Sequence, residues 1–146
     1  MALLVQKFGG SSVANIERIQ NVARRIKASK EAGNQLVVVL SAMSGATDKL
    51  IDLAHQLSND PPEREMDALV STGEQVSISL LSIALAELGI KAKSYTVNQA
   101  KIITDHFHTK ARIKHIDPCS IKEDLGKDYV VVVAGFQGVT EEGAVT

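Results

Sequence analysis

Short apolar runs alternate along the chain with longer segments in which apolar residues recur every three or four positions. Two of the runs, residues 35–40 and 128–134, are rich in valine and almost uniformly apolar, which is typical of parallel strands covered on both faces. Shorter runs before Lys7 and at residues 91–96 predict two further strands. Helical spacing predicts helices at residues 16–27, 47–57 and 66–88, with a short helix after Pro118.

The order of these elements predicts an α/β fold with an open, mainly parallel sheet between helix layers. Ligands of such folds bind beyond the carboxyl ends of the strands. Loops 7–12, 41–47 and 135–138 each follow a predicted strand, so we expect them to converge on one site. Residues 98–115 are polar and irregular apart from a short apolar patch at 102–103, and the pattern assigns them no element.

The longest helical segment is predicted to be buried. Residues 76–88 are apolar on nearly every helical face, and Gly89 provides a stop. No continuous apolar stretch approaches the length of about 20 residues that spans a bilayer, and no signal-peptide pattern opens the chain. We therefore expect no membrane partner.

Composition narrows the class of partner. The 146 residues suit one domain or part of one, and 16 basic against 17 acidic residues give a net charge of −1. Because the basic residues are scattered, no stripe of positive charge favours binding to a nucleic acid. Cys119 is the only cysteine, which excludes a disulfide or a thiolate metal site within the chain. A small-molecule partner and a cytoplasmic location are therefore predicted.

The first strand leads into a candidate anion site. Lys7 ends the apolar run and is followed by Phe8, by the pair Gly9 and Gly10, and by serines from Ser11 onward. Paired glycines allow unusual backbone dihedral angles and let backbone N–H groups close on an anion. Hydroxyls add donors, and the N-terminus of a following helix adds positive potential. The spacing matches neither of the common nucleotide-binding patterns. A plain strand-to-helix turn with a solvated lysine is therefore the alternative.

Several further polar residues fit a structural role as well as a chemical one. Ser71 and Glu74 have the spacing of a capping box at the start of the long helix, and Ser120 and Glu123 repeat it. Thr47 precedes the second helical pattern as an ordinary N-cap residue would. From spacing alone we prefer capping for Ser71 and Glu74, whereas Thr47 stays open between the two roles.

Three neighbouring polar residues, Asp105, His106 and His108, have the chemistry of metal ligands. No further ligand stands at a spacing that would complete a site. A solvated loop is therefore the preferred interpretation, and no metal-binding residue is predicted.

Four segments form a recognisable combination of motifs. They are K-F-G-G-S-S-V at 7–13, V-V-V-L-S-A-M-S-G-A-T-D at 37–48, S-T-G-E-Q-V-S at 71–77 and V-V-V-A-G-F-Q-G-V-T at 131–140. With this combination the chain resembles, along its whole length, the N-terminal part of an aspartate kinase of the amino-acid kinase family. The segments at 37–48 and 71–77 look specific to the aspartate enzymes.

The resemblance implies the amino-acid kinase fold and transfer of a phosphoryl group from ATP to the side-chain carboxylate of L-aspartate. The product would be 4-phospho-L-aspartate, at the entry to lysine, threonine and methionine synthesis. An aspartate carboxylate, with a pKa of about 3.9, is already ionised near pH 7 and needs no general base. The implied site residues are Lys7 for catalysis, Lys7, Phe8, Gly9, Gly10 and Ser11 for the phosphates of ATP with its Mg²⁺, and Thr47 and Glu74 for aspartate.

The chain departs from the family pattern in two places. Residues 97–100 read Val-Asn-Gln-Ala where these kinases commonly have Gly-Trp-Gln-Ala, and Thr146 precedes the family's glycine-arginine-glycine stretch, nucleotide-binding half and ACT regulatory domains. We therefore expect residues 1–146 to be a truncated N-terminal lobe, inactive alone, that self-associates through unpaired strand edges at 37–40 or 129–133. The alternative function is a non-catalytic module that binds a small anion or a partner chain.

Overall fold

The computed structural model describes all 146 residues. The six strands are β1 Leu3–Phe8, β2 Gln35–Leu40, β3 Ala92–Tyr95, β4 Ile102–Thr104, β5 Ile113–Ile116 and β6 Val130–Ala134. The five α-helices are α1 Ile16–Glu31, α2 Ala46–Leu57, α3 Glu63–Glu87, α4 Val97–Ala100 and α5 Cys119–Gly126, and a single 3₁₀ turn spans Gly10–Val13.

The main sheet has four parallel strands in the order β1-β2-β6-β3. Val37 of β2 pairs with Val5 of β1 on one side and with Val131 of β6 on the other. β4 and β5 form a separate antiparallel hairpin. The predicted α/β class with a mainly parallel sheet is therefore confirmed.

Helices cover the two faces of the sheet unequally. On one face, α1 and α3 enclose a cluster of fifteen buried apolar residues that includes Ile26, Leu36 and Leu81. On the other face, a smaller cluster of five buried residues lies beneath α5 and includes Val131. β1 extends beyond this second cover, and its Leu3 and Val5 side chains are 56% and 67% exposed.

The two valine-rich strands differ in burial. Every residue of β6 is buried, as its uniform apolar pattern predicts. β2 instead alternates, with Leu36, Val38 and Leu40 fully buried and Val37 and Val39 only half-buried. The prediction of burial on both faces of β2 is therefore only half right, because the helix layer on its second face is incomplete.

The long helix α3 buries one face and exposes the other, so the prediction that it is buried on nearly every face is corrected. Its residues Ile78, Leu81 and Leu85 belong to the core, whereas Val76 and Ile83 are 52% and 66% exposed. One 18-residue window of α3 has a mean hydropathy of 1.4, enough in length and composition to cross a membrane, with 39% of that window buried in the fold. The expectation that no segment is long and apolar enough was wrong, because it counted uninterrupted runs and not a helix-long average.

Helix starts fall elsewhere than the polar spacing predicted. α2 is preceded by Gly45, whose φ of +76° is left-handed, so Thr47 lies within the helix and does not cap it. α5 is preceded by Pro118 with no side-chain cap, which places Ser120 inside the helix as well. A capping box does form at Thr96, where the sequence analysis assigned none. Gly45 and Pro118 occupy the N-cap positions, so Thr47 and Ser120 each lie two residues beyond the cap.

The segment that the pattern could not assign forms α4 and the β4–β5 hairpin. The hairpin is joined to the chain that follows β6: Thr104 N donates to Val139 O at 2.9 Å, and Val139 N donates to Ile102 O at 2.9 Å. These long-range bonds hold short strands whose own sequence pattern is too brief to predict them. They place the hairpin beyond the carboxyl end of β6.

The sheet order also corrects the expected edges. β2 and β6 are the two central strands, so residues 37–40 and, of the range 129–133, residues 131–133 are paired on both sides. The strands with an unpaired side are β1 and β3. If an edge drives self-association, β1 is the better candidate because it also carries exposed apolar side chains.

Candidate functional site

The three loops that follow β1, β2 and β6 do converge. A Cβ atom on Gly10 would lie 3.0 Å from Ala42 O, so the first loop packs directly on the second. A Cβ atom on Gly135 would lie 3.0 Å from Leu40 O, so the loop after β6 packs on the end of β2. Glycine is required at both positions by close approach of backbone to backbone.

The segment that contains the predicted phosphate residues is regular and is exposed at Lys7, Gly9 and Ser11, whereas the Phe8 side chain is buried in the apolar core. Lys7 is the penultimate residue of β1, and Gly9 has extended angles, φ −77° and ψ 173°, that any residue adopts. The prediction that paired glycines supply unusual dihedrals is therefore wrong, and Gly10 is needed for space. The prediction that a helix dipole points at the turn is also corrected, because only the short 3₁₀ turn follows and α1 begins at Ile16, capped by Asn15.

A cavity of about 350 Å³ is lined by residues of α2, α3, the β4–β5 hairpin and the loop after β6. Of the predicted site residues, Thr47 and Glu74 line it, whereas the segment 7–11 does not. The lining also includes Asp67, Ser71, Thr104, Lys110 and the stretch 135–138. Sequence reasoning had singled out only the last of these as a ligand loop.

Glu74 lies in the interior of α3 and not at its start. The capping interpretation of Ser71 and Glu74 was therefore wrong: Ser71 Oγ donates to Ala68 O at 2.8 Å within the helix. The Glu74 carboxylate is buried, and its Oε2 accepts a hydrogen bond of 3.2 Å from the backbone N–H of Phe136. Because this buried carboxylate does not cap a helix, it is available to bind a ligand.

Burial raises the pKa of Glu74 above its ordinary value of 4.5. The Phe136 N–H, the Gln137 amide and the positive charge of Lys7 act in the opposite direction, in that order of size. Lys7 is therefore within electrostatic reach of Glu74, although it lies outside the cavity lining.

Close packing of α3 on α2 places Thr47 near Glu74. A Cβ atom on Gly73 would lie 3.2 Å from Ala42 Cβ, in the loop before α2, and 3.5 Å from Leu50 Cδ1 of α2, so α3 packs closely on this loop and helix. Thr47 sits in the first turn of α2 and lines the cavity. The hydroxyl and the carboxylate therefore border the same space.

An interaction between Asp67 and the hairpin closes one side of the cavity, and sequence analysis missed it. Asp67 of α3 lies 2.9 Å from His108 Nδ1 and accepts a 3.1 Å hydrogen bond from Thr109 N. His108 therefore belongs to a tethered loop, which corrects its prediction as solvated, while His106 stacks on Phe107. No group of three His, Cys, Asp or Glu side chains comes together in the fold.

Gln137 is a second residue that sequence analysis passed over. Its Nε2 donates to Ser71 O at 2.7 Å and so ties the loop after β6 to α3. The only sequence signal was its place in the G-F-Q-G stretch at 135–138, directly after a buried strand. That position marks a ligand loop but does not show which of its side chains turns inward.

The sequence pattern of the amino acid kinase family matches residues 2–146. The chain therefore belongs to the amino acid kinase family, which confirms the resemblance inferred from the motifs. It is 60% identical over 146 residues to an aspartate kinase of Pseudomonas putida, with 100% of this chain and 36% of that relative covered.

Solved structures agree with the fold. The chain superposes on an aspartate kinase from Synechocystis with a TM-score of 0.79 and 50% identity, over 95% of this chain and 22% of that one. E. coli aspartokinase III in complex with aspartate and ADP gives a TM-score of 0.80 at 22% identity, over 100% of this chain and 43% of that one, which is a likeness of fold. The chain thus spans 36% of the length of the Pseudomonas putida relative.

Proposed function

We propose that residues 1–146 form the N-terminal lobe of the kinase domain of an aspartate kinase, which transfers a phosphoryl group from ATP to the side-chain carboxylate of L-aspartate. The observation that carries the proposal is the buried Glu74 carboxylate in a cavity of about 350 Å³. The relatives at 55% to 60% identity that bear this name support it.

Glu74 suits the α-ammonium group of an amino acid. A buried carboxylate is costly unless a positive charge or several donors accompany it. The Phe136 N–H provides one donor, at 3.2 Å, and leaves the negative charge without a direct ionic partner in the cavity. We assign the substrate ammonium to Glu74 and a substrate carboxylate to the Thr47 hydroxyl.

Lys7 and the turn from Phe8 through Gly9 and Gly10 to Ser11 suit the phosphate side of the reaction. When bound, ATP with its Mg²⁺ supplies the phosphoryl group. Lys7 would neutralise charge on the transferring group, because donors fixed in place stabilise the charge that spreads over its oxygens. No base is needed, since the accepting carboxylate is already ionised near pH 7.

We further propose a cytoplasmic location, where ATP is plentiful, and a role at the entry to lysine, threonine and methionine synthesis. The nucleotide-binding half of the kinase domain and any ACT domains would come from the remainder of the protein. The absence of a nucleic-acid partner stays a prediction, supported by the net charge of −1 and the scattered basic residues.

The test is ADP release by the complete kinase that contains this sequence, with L-aspartate, L-glutamate or succinate as acceptor. We expect turnover with L-aspartate alone, because succinate lacks the ammonium group assigned to Glu74 and glutamate is longer by one methylene. Equal turnover with succinate would contradict the role of Glu74. No turnover with any of the three, while the protein still binds phosphate, would favour the non-catalytic anion-binding module.

A further inference from the structure

Asp67 is the one residue of α3 that forms hydrogen bonds with the β4–β5 hairpin and its loop. Its carboxylate lies 2.9 Å from His108 Nδ1 and accepts bonds of 3.1 and 3.0 Å from the backbone N–H of Thr109. A carboxylate can only accept, so His108 Nδ1 is the donor. Asp67 is 8% exposed and the His108 side chain 16%, so water competes little for these bonds.

The position of the hairpin loop depends on this attachment. β5 is exposed at all four of its residues, and a two-stranded hairpin has little stability of its own. The base of the hairpin is joined to the chain after β6 through Thr104 and Val139. Thr109, in the loop, has a left-handed φ of +62°, which a β-branched residue rarely adopts unless its surroundings hold it there. Asp67 binds the backbone of this same residue.

The hairpin loop forms part of the cavity wall. Thr109, Lys110 and Ala111 line the cavity together with Asp67 and Glu74. Asp67 and Glu74 lie on one face of α3, about two helical turns and therefore about 10 Å apart along its axis. With the substrate ammonium assigned to Glu74, the loop held at Asp67 limits how far a bound amino acid can extend along this face.

We propose that Asp67 is a positioning residue which, through His108 and Thr109, fixes the hairpin loop as the wall that limits the length of the amino-acid substrate. This inference rests on the proposed function and assigns a structural source to the expected preference for aspartate over glutamate. A pocket with a fixed wall discriminates one methylene group by about 10-fold or more. A wall that can move gives way to the longer ligand, so the bonds at Asp67 contribute to selectivity.

The competing explanation is that Asp67 only stabilises the fold. Removal of a purely structural bond weakens the binding of short and long amino acids in the same proportion. Removal of a wall that limits length weakens the binding of aspartate, which loses contacts, and gives glutamate the space that it lacks. The ratio of the two binding constants therefore separates the explanations.

The experiment uses the complete kinase and two variants of one residue. His108→Leu removes the donor to Asp67, whereas His108→Asn keeps an N–H donor close to the position of Nδ1. His106→Leu is the matched control, because His106 is an exposed neighbour that stacks on Phe107 and does not line the cavity. Steady-state kinetics give the KM values for L-aspartate and ATP, and L-glutamate gives a competitive inhibition constant.

The selectivity is the glutamate inhibition constant divided by the aspartate KM. We expect His108→Leu to lower it about 10-fold or more, with the ATP KM within about twofold of wild type. His108→Asn should keep it within about threefold of wild type, and His106→Leu should leave it unchanged. An unchanged selectivity in His108→Leu would overturn the proposal. An equal loss in His108→Asn, or a parallel rise in the ATP KM, would overturn it as well.

Asp67→Ala removes the bonds to His108 and Thr109 together. We expect it to lower the selectivity at least as much as His108→Leu does, and a wild-type ratio would overturn the proposal. If Asp67→Ala does not fold, the two His108 variants decide alone, because they change a partly exposed loop residue. A wild-type kinase that does not use aspartate overturns the proposed function itself, whereas wild-type turnover with unchanged selectivity in the variants overturns only the role of Asp67.

Discussion

The two parts of the candidate site are built in contrasting ways. Lys7, Gly9 and Ser11 are exposed at the end of a strand on the edge of the sheet, and the loop after β2 packs against this turn on one side. The cavity around Glu74 is lined by two helices, a hairpin and a loop, with bonds from Phe136 to Glu74 and from Gln137 to α3. One part presents an exposed charge, and the other presents a buried charge.

This difference bears on which half of the proposed reaction each part of the site serves. A cavity lined from several sides can orient a small amino acid by several contacts. An exposed lysine can neutralise an anion from one side only. Under the proposed function, the cavity residues serve the phosphoryl acceptor and the turn serves the phosphoryl donor.

Expression of residues 1–146 alone tests the contrast between the two parts of the site most directly. Phosphoryl transfer needs donor and acceptor held in line with charge neutralised on more than one side, which Lys7 and its turn do not provide. We predict no aspartate-dependent ADP release in a coupled assay and at most weak binding of phosphate. Robust activity of the isolated chain would show that the open turn suffices.

The same isolated chain should self-associate through β1, whose outer side is unpaired and whose Leu3 and Val5 side chains are exposed. Val5→Lys should lower the association measured by sedimentation, because a charge on the edge opposes pairing. Ile83→Lys, on the exposed face of α3, is the matched control and should leave association unchanged. A wild-type chain that stays monomeric at high concentration would rule out the edge as a contact.

Lys7→Ala in the complete kinase should lower kcat on the order of 100-fold or more, the usual effect of losing one fixed charge at the transferring group. The aspartate KM should change far less, because Lys7 lies outside the cavity. Lys122→Ala, exposed on α5, serves as the control. If the KM rises and kcat does not fall, Lys7 acts on the substrate and the two parts of the site are not separate.

Glu74→Gln should raise the aspartate KM about 10-fold or more while the melting temperature shifts little, because the amide keeps the shape and loses the charge. Glu87→Gln, exposed near the end of α3, is the control. A drop in stability without a change in KM would return Glu74 to a purely structural role.

The pH dependence gives a second measurement on Glu74. Burial raises its pKa above 4.5, so the carboxylate takes up a proton at a higher pH than an ordinary glutamate and the aspartate KM should rise as pH falls through that value. The effect on the free energy of unfolding has the opposite sign. The raised pKa contributes stability at pH values below the pKa of the unfolded state, and this contribution is lost as pH rises through the pKa of the folded state. Both dependences should be absent in Glu74→Gln.

Two neighbouring glycines give the smallest expected effect. Gly10→Ala should destabilise the fold by about 1–3 kcal/mol in denaturant unfolding, because its Cβ would meet Ala42 O at 3.0 Å. Gly9→Ala meets nothing within 4 Å and has extended angles, so it should be neutral or add about 0.4–1 kcal/mol through the unfolded state. Equal effects would mean that the first loop does not depend on close contact with the second.

The sequence did not predict the N-caps of α2, α3 and α5 correctly. Thr47, Ser71 and Ser120 each had the spacing of a cap, and none caps a helix in the structure. A hydroxyl three residues before a glutamate is compatible with a helix start but also with a helix interior. Only the surrounding packing, with α3 extended upstream to Glu63, decides between them.

Local periodicity and contiguous motifs were enough to predict the class of fold, the strands β1, β2, β3 and β6, the three loops that meet and the family. The order of the strands could be read only from the folded chain, and it places the predicted edge strands at the centre of the sheet. The tertiary structure also decided the hairpin over the cavity, the Asp67–His108 contact and the inward Gln137. These features depend on bonds between residues about 40 to 66 positions apart, and no local pattern encodes which distant residues will meet.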